Sequence, residues 1–465
     1  MRKTLRDFYK DIASSKAFWM PLLFFTFGTF GFSMLHRTVG ADDLATGRYV
    51  DGTIWLQELR WGAVLWKKVF SFGEYVPFVD KYLSACFLVL AATAFAALWY
   101  YLSGKRKWVL LYTVPACAFV TYPILQEIWE YTCGGCLIVP GDFFLTFLTL
   151  LFLLVQKKPN VRATVIAGLV LTLVYSSAES LAPVYVAMVL MILYYKYCVA
   201  EPAPEGASSG ARLFKGKAGW FFEGLSFAAP LALALVLRLV IGYGIMGVLN
   251  LHFQHTGATK IYWPLTGEEL RKLIGKFLTH YVAAAFVYMP IGVFIFFAFL
   301  FILFTFWRCY KKKSGLPLFL GICVGLSLFF LTILQGMVMY YRTAITLMVF
   351  VGFCVFLSME LLARVLDPAA SAEAAAFAVR RRAEIALEDR EAHTGDGSLR
   401  AEEAAAAGAG LAAGAGLAAG AASAGAASAG AASAPADGPT AGAPLLPPKP
   451  GMPARVRRFV CQALV

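Results

Sequence analysis

The sequence predicts an all-α membrane protein with about ten transmembrane helices, and two observations lead to this fold class. Hydrophobic residues make up 60% of the 465 residues and charged residues 15%, whereas soluble domains are about half apolar and about a quarter charged. The apolar residues fall into runs of about 18 to 25, the length that crosses a hydrocarbon core about 30 Å thick. Because backbone polar groups in lipid must be paired internally, each run is expected to be helical.

The predicted spans lie at residues 18–35, 83–103, 108–125, 140–155, 161–177, 180–198, 219–247, 284–307, 316–338 and 343–365. The first span follows a charged segment. His36-Arg37-Thr38 comes directly after it, and no small-residue cleavage site is present there. We therefore interpret the first span as an uncleaved signal anchor.

The orientation follows from the basic residues, which cluster in every second loop. These clusters are Arg2, Lys3, Arg6, Lys10 and Lys16, then Lys105–Lys107, then Lys157, Lys158 and Arg162, then Arg212, Lys215 and Lys217, then Arg308 and Lys311–Lys313. Such loops face the cytoplasm, so both termini are predicted to be cytoplasmic. The net charge of +13 is thus explained by topology, and we predict no nucleic-acid partner.

Two long external loops are predicted to form helices on the membrane surface. In the first, Trp55, Leu59, Ala63, Trp66 and Phe70 recur at helical spacing, which is typical of an amphipathic interfacial helix. In the second, residues 266–269 read Thr-Gly-Glu-Glu, a capping-box pattern that precedes an apolar face from Leu270 to Tyr281.

The composition changes after the last span. Residues 403–443 are mostly Ala, Gly and Ser, which offer no large side chains to bury and do not offset the entropy of ordering the chain. We therefore predict two parts, a polytopic transmembrane domain at 1–365 and a mostly disordered cytoplasmic tail at 366–465.

Asp42 and Asp43 form an acidic pair just outside the first span. A carboxylate at the mouth of a membrane protein can act as a general base toward a sugar hydroxyl. The alternative is structural, because aspartate is a favoured N-cap residue and a helix at about residues 43–49 would place the pair at its start.

Two arginines can bind a phosphate through a bidentate fork. Arg238 lies inside the seventh span, where an ionised side chain is costly and indicates function by default; the alternatives are a snorkelling side chain or a structural ion pair. Arg342 lies at the external end of the last span, and its alternative role is an interfacial anchor.

Three further external acids, Glu127, Glu130 and Glu179, can bind acceptor hydroxyls or remain solvated loop residues. They also permit a divalent metal, although their spacing does not define a site; no cofactor is otherwise indicated. Cys133 and Cys136 are expected to form a structural disulfide or to be two free thiols. No glycine-rich phosphate loop is present, which argues against a nucleotide-sugar donor.

Several short segments carry a resemblance to a known family. They are Ala41-Asp42-Asp43-Leu44, Gly47-Arg48-Tyr49, Leu59-Arg60-Trp61, Thr121-Tyr122-Pro123 with Glu127 and Glu130 after it, and Tyr341-Arg342-Thr343. Over residues 1–365 the chain resembles the polytopic GT-C glycosyltransferases, most closely the serotype-converting O-antigen glucosyltransferases of the Gtr family. The family has a glycine before the arginine that Arg60 matches, where this chain has Leu59.

The resemblance implies a GT-C-like fold and a hexosyltransferase of the bacterial plasma membrane. A sugar, glucose by the resemblance, would pass from a polyprenyl-phosphate donor in the membrane lipid to a surface glycan acceptor on the external face. Asp42 or Asp43 would take the acceptor proton, and the anomeric centre would invert. Arg238 and Arg342 would bind the donor phosphate. Arg48, Arg60 and Tyr341, with the three glutamates, would bind the sugar and the acceptor.

Two other classes of protein remain open. A flippase or transporter for lipid-linked sugars would show internal repeats with interrupted spans, and the sequence contains no convincing repeat. A glycan polymerase or ligase has a similar number of spans, but the acidic pair after the first span would carry no special role in it. The products of the reaction separate these classes.

Overall fold

The computed structural model describes residues 1–36, 52–71, 77–104, 106–130, 136–156, 160–178, 180–200, 219–253, 266–281, 289–330, 333 and 345–366. Within these ranges the chain is all-α and contains no strand. The predicted tail lies outside the described residues, apart from Leu366.

The helices follow one another along the whole described chain. In order they are α1 (Arg2–Phe8), α2 (Lys16–Leu35), α3 (Thr53–Gln57), α4 (Trp61–Ser71), α5 (Pro77–Leu102), α6 (Leu110–Val120), α7 (Ile124–Glu130), α8 (Ile138–Val155), α9 (Val161–Ser177), α10 (Leu181–Tyr194), α11 (Gly219–Leu249), α12 (Gly267–Tyr281), α13 (Met289–Lys312), α14 (Leu316–Leu328) and α15 (Thr346–Leu366). Short π-helical turns at Tyr9–Ala13 and Tyr195–Val199 continue α1 and α10.

Seven helices of the described ranges are long and apolar enough to cross a membrane: α2, α5, α8, α10 with its π-helical turn, α11, α13 and α15. Three shorter apolar helices, α6, α9 and α14, lie at the remaining predicted spans. Every predicted span therefore coincides with an apolar helix, and the chain is a helical polytopic membrane protein.

The boundaries of four helices differ from the prediction, and the largest difference is at α14, which ends at Leu328 rather than at residue 338. Helix α5 begins at Pro77 rather than at residue 83, because Asp80 and Lys81 are buried within it and are not part of a loop. Helix α6 ends at Val120, shortly before Pro123, whose ring disfavours helical geometry in the preceding residue. Helix α13 continues to Lys312, so that part of a predicted basic loop belongs to its last turns.

The basic residues at the end of α13 cap the end of another helix. Arg308 Nε donates to the carbonyl of Cys198 at 2.7 Å, and Lys312 Nζ donates to the carbonyl of Tyr197 at 2.7 Å. Arg308 is only 8% exposed. Its guanidinium therefore donates to carbonyls at the end of the α10 segment that have no partner within the helix. Cations are favoured at this end of a helix.

The ends of the helices form two opposite groups. At one end Tyr100 of α5 donates to Asp11 at 2.5 Å, and Arg106 lies 4.0 Å from Glu360 of α15. At the other end Lys81 of α5 donates to the carbonyl of Ser33 of α2 at 2.9 Å. Thr346 of α15 likewise donates to the carbonyl of Leu328 of α14 at 2.8 Å.

We call the end with Tyr100 and Glu360 the opposite end. We call the end with Lys81 and Thr346 the α4 end, because helix α4 lies there. Consecutive apolar helices run in alternate directions between the two ends. Helix α1 and the last turn of α15 both lie at the opposite end.

The core contains a buried acid that the sequence analysis did not single out. Glu223 in the first turns of α11 is fully buried, forms an ion pair with Lys196 and accepts a hydrogen bond from Tyr197 at 2.8 Å. Because a buried carboxylate is costly without such partners, these contacts attach the start of α11 to the end of the α10 segment.

Candidate functional site

The surface segment predicted as one amphipathic helix consists of two helices, α3 and α4, with a break between them. Leu59 adopts a φ of 61°, the left-handed conformation that interrupts a helix and that glycine adopts most readily. The prediction of a single continuous helix was therefore wrong, and the chain turns at residues 58–60, which we call the elbow.

Contacts with two helices of the bundle hold the elbow in this conformation. Arg60 Nε donates to the carbonyl of Ser177 at the end of α9 at 3.1 Å. Leu59 is 5% exposed, and its side chain packs against Gly242 of α11, where a Cβ atom would lie 2.6 Å from Leu59 Cδ2. The close approach requires the absence of a side chain at position 242.

Arg238 of α11 belongs to the same region. Trp61, the first residue of α4, donates to the carbonyl of Arg238 at 3.4 Å. Arg238 precedes Gly242 by four residues and therefore shares its helix face, which is the face in contact with the elbow. Two predicted site residues thus lie in segments that meet, Arg60 in the elbow and Arg238 in α11, and both are half-buried.

Helix α4 packs closely on the ends of α8 and α9. A Cβ atom at Gly62 would lie 2.6 Å from the carbonyl oxygen of Leu173 and 2.7 Å from Ser177 Oγ. A Cβ atom at Gly141 would lie 2.7 Å from the Trp66 ring. The apolar face predicted for α4 is therefore buried by protein: Ala63 is 0% exposed and Trp66 is 6% exposed.

Two buried polar contacts fix the orientation of α4. Trp66 Nε1 donates to Asp142 Oδ1 of α8 at 2.9 Å, and Asp142 is 0% exposed. Lys67 forms an ion pair with Asp80 of α5, and both side chains are buried. Through these contacts and those of the elbow, α3–α4 covers the ends of α5, α8, α9 and α11.

The second predicted amphipathic helix is present as α12, while its place on the membrane surface stays a prediction. The backbone N–H of Glu269 donates to Thr266 Oγ1 at 3.3 Å, and the N–H of Thr266 donates to Glu269 Oε2 at 3.1 Å, which is the predicted capping box. Phe277 packs on Phe329, just after the end of α14, with ring centroids 4.8 Å apart. Both surface helices therefore lie at the α4 end.

The other predicted site residues are only partly described. Glu127 and Glu130 lie on α7, and their side chains are outside the described part of the chain. Helix α7 lies at the α4 end, where Trp129 stacks on Phe30 of α2 at 4.3 Å. Asp42, Asp43, Arg48, Glu179, Tyr341 and Arg342 lie outside the described residues.

Cys136 is buried at the same end, beside Lys67, Asp80 and Lys81. Burial raises the pKa of its thiol to about 12, which disfavours the reactive thiolate at neutral pH. Cys133 lies outside the described residues, so the predicted disulfide stays a prediction. The described ranges hold no group of three or more His, Cys, Asp or Glu residues suited to a metal ion.

Replacing Trp66 with Phe tests the contact that orients α4. The ring is retained but its N–H is lost, so the buried Asp142 loses a donor, and we expect a loss of about 1–3 kcal/mol in the free energy of unfolding. Thermal unfolding of the detergent-solubilised protein measures it. The double variant Trp66→Phe/Asp142→Leu also removes the buried carboxylate and should recover only part of this loss, because Ser177 and Arg60 then lose their interaction with Asp142. Equal stability of Trp66→Phe and the native chain would contradict the assignment.

No protein-family model, curated protein or solved structure matches the chain. The fold and the site therefore define only the class of the protein. It is a polytopic helical membrane protein in which the two helices α3 and α4, joined at the elbow, cover one end of the bundle.

Proposed function

We propose that the chain is a membrane glycosyltransferase that moves a sugar, glucose by the resemblance, from a polyprenyl-phosphate donor to a surface glycan acceptor. The observation that carries the proposal is the elbow over the α4 end, which holds Arg60 against the end of α9 and contacts the face of α11 that carries Arg238. The sequence indicates these two arginines for separate reasons. Arg60 belongs to a motif, and Arg238 lies inside a predicted span.

In the proposed topology all ten predicted spans cross the membrane. Helices α6, α9 and α14 act as short crossings beside the seven long ones, which makes ten passes and a GT-C-like fold. The opposite end faces the cytoplasm, because the basic clusters lie there, and the α4 end faces outward from a bacterial plasma membrane. Both termini are then cytoplasmic.

The chemistry is a single displacement at the external face. The acceptor hydroxyl oxygen attacks the anomeric carbon, the bond from that carbon to the lipid phosphate oxygen breaks, and Asp42 or Asp43 accepts the hydroxyl proton. One displacement inverts the anomeric centre. The residues that follow α2 carry this acidic pair, and α2 ends at Leu35 at the α4 end.

The leaving phosphate gains charge as the bond breaks, and preorganised cations stabilise that charge. Arg238 and Arg342 are assigned to the donor phosphate. Arg48, Arg60, Tyr341, Glu127, Glu130 and Glu179 are assigned to the sugar and the acceptor. In support, Arg60 is held by Ser177 and lies 3.7 Å from Glu58, which fixes its guanidinium at the mouth of the bundle.

Reconstitution of the full chain in liposomes tests the proposal. The vesicles carry a radiolabelled polyprenyl-phosphate glucose and a lipid-linked oligosaccharide acceptor, and chromatography separates the products. We expect each acceptor to gain one sugar with inverted anomeric configuration. Movement of the donor across the bilayer without transfer would instead indicate a flippase, and a ladder of long products or transfer of a whole chain would indicate a polymerase or ligase.

A further inference from the structure

The N-terminal segment forms a docked helix rather than a loose charged arm. Phe8 of α1 and Ile12 of the π-helical turn are 3% and 0% exposed. Phe8 packs edge-on against Phe18 of α2 and Tyr100 of α5, with ring centroids 5.8 and 5.5 Å away. Trp19 donates to the carbonyl of Ala13 at 2.6 Å. The segment is therefore fixed in rotation about its own axis.

This fixed rotation separates the charges of the segment by sign. Asp11 accepts the hydrogen bond from Tyr100 and lies 4.0 Å from Lys107, and Asp7 also interacts electrostatically with the Tyr100 hydroxyl. Both acids are half-buried. The basic residues lie on the outside: Arg2, Lys3, Arg6 and Lys10 are all exposed.

The exposed cations form one continuous face. At about 100° per residue, Arg2, Lys3 and Arg6 fall within a sector of about 100°, and the buried Thr4 and Phe8 fall on the other side. Tyr9, which is 61% exposed, borders the cationic sector. An exposed aromatic ring beside basic residues is typical of a surface at the membrane interface.

We propose that this cationic face of α1 binds the phosphate groups of anionic phospholipids in the leaflet at the opposite end. The segment leads directly into α2, which begins at Lys16 and is long enough to cross the membrane, so its face lies at the level of the lipid headgroups. Each basic residue near an anionic membrane surface adds to the attraction. The inference does not depend on the proposed sugar transfer.

Native mass spectrometry of the detergent-solubilised full chain tests the inference, with phosphatidylglycerol and phosphatidylcholine added in equal amounts. The test variant is Lys3→Gln/Arg6→Gln/Lys10→Gln. The matched control is Arg271→Gln/Lys272→Gln/Lys276→Gln, which removes three exposed cations from α12 at the α4 end. We expect the native chain and the control to retain phosphatidylglycerol preferentially, and the test variant to lose that preference several-fold.

Two results would overturn the inference. One is an unchanged lipid preference in the α1 variant, or an equal loss in the α12 control. The other is displacement of phosphatidylglycerol by an equal concentration of inorganic phosphate, which would assign the face to a free anion. The milder variants Lys3→Gln and Arg6→Gln, measured singly, keep the test valid where the triple variant does not fold; each is expected to show a partial loss.

Discussion

Replacing Gly62 with Ala is expected to displace α4 from the bundle and to lower the free energy of unfolding by about 3 kcal/mol, near the upper part of the range for overpacked sites. The new methyl group would lie 2.6 Å from the carbonyl oxygen of Leu173. That oxygen belongs to the backbone of α9 and does not move aside as a flexible side chain would. Chemical or thermal unfolding in detergent measures the loss.

The change at Gly62 should also affect the site. A displaced α4 loses the hydrogen bond from Arg60 to Ser177 and that from Trp66 to Asp142, so sugar transfer is expected to fall with stability. The control is Gly244→Ala in α11, where no atom lies within 4 Å of the new Cβ; it should stabilise the helix by about 0.5–1 kcal/mol. Similar behaviour of the two variants would contradict the close packing of α4.

Replacing the acidic pair gives the largest effect expected on activity. If Asp43 or Asp42 accepts the acceptor proton, its replacement by Asn removes the base and preserves the size of the side chain. A positioned general base contributes between about a hundredfold and about ten-thousandfold. We therefore expect one of the two single variants to lose that much of its transfer rate, measured with the reconstituted protein and saturating donor.

Asp51→Asn is the matched control for the acidic pair, because Asp51 follows in the same loop and has no assigned role. It should retain the native rate. Retention of transfer in both Asp42→Asn and Asp43→Asn would exclude the pair as the base. An unchanged thermal unfolding temperature in both variants is needed to attribute a lost rate to chemistry.

The positions of the apolar helices could be predicted because that signal is local. A run of apolar residues long enough to cross lipid is visible in the sequence itself, and each predicted span coincides with an apolar helix of the described chain. The capping box of α12 is local as well, since Thr266 and Glu269 are three residues apart. Such features require no knowledge of distant parts of the chain.

The start of α5 and the break at Leu59 could not be predicted, because both depend on distant partners. Asp80 and Lys81 look like loop residues until Lys67 and the carbonyl of Ser33 are known to bind them. Leu59 has no local reason to adopt a left-handed conformation. It does so where Arg60 reaches a carbonyl 117 residues away in sequence and Leu59 itself meets Gly242.

The candidate site could be predicted in part. Arg238 stands out as a charge inside an apolar run, and Arg60 belongs to a motif, but only the packing of α3 and the elbow on α11 relates them. Asp142 and Trp66 were both visible in the sequence, yet their hydrogen bond joins residues 76 positions apart. The acidic pair itself stays a prediction, because it lies outside the described residues.

The cover formed by α3 and α4 has a consequence for the order of assembly during synthesis. Helix α4 leaves the ribosome before α8, α9 and α11, which supply most of the surface on which it packs. At about 5–20 residues per second, roughly ten to thirty seconds separate its synthesis from that of Gly242. In the first part of this interval, before α8 and α9 are made, only α5, through Asp80, is available to hold it. The α4 end of the bundle therefore closes late in biogenesis, and any chaperone that attends this protein would encounter α4 as an undocked amphipathic segment.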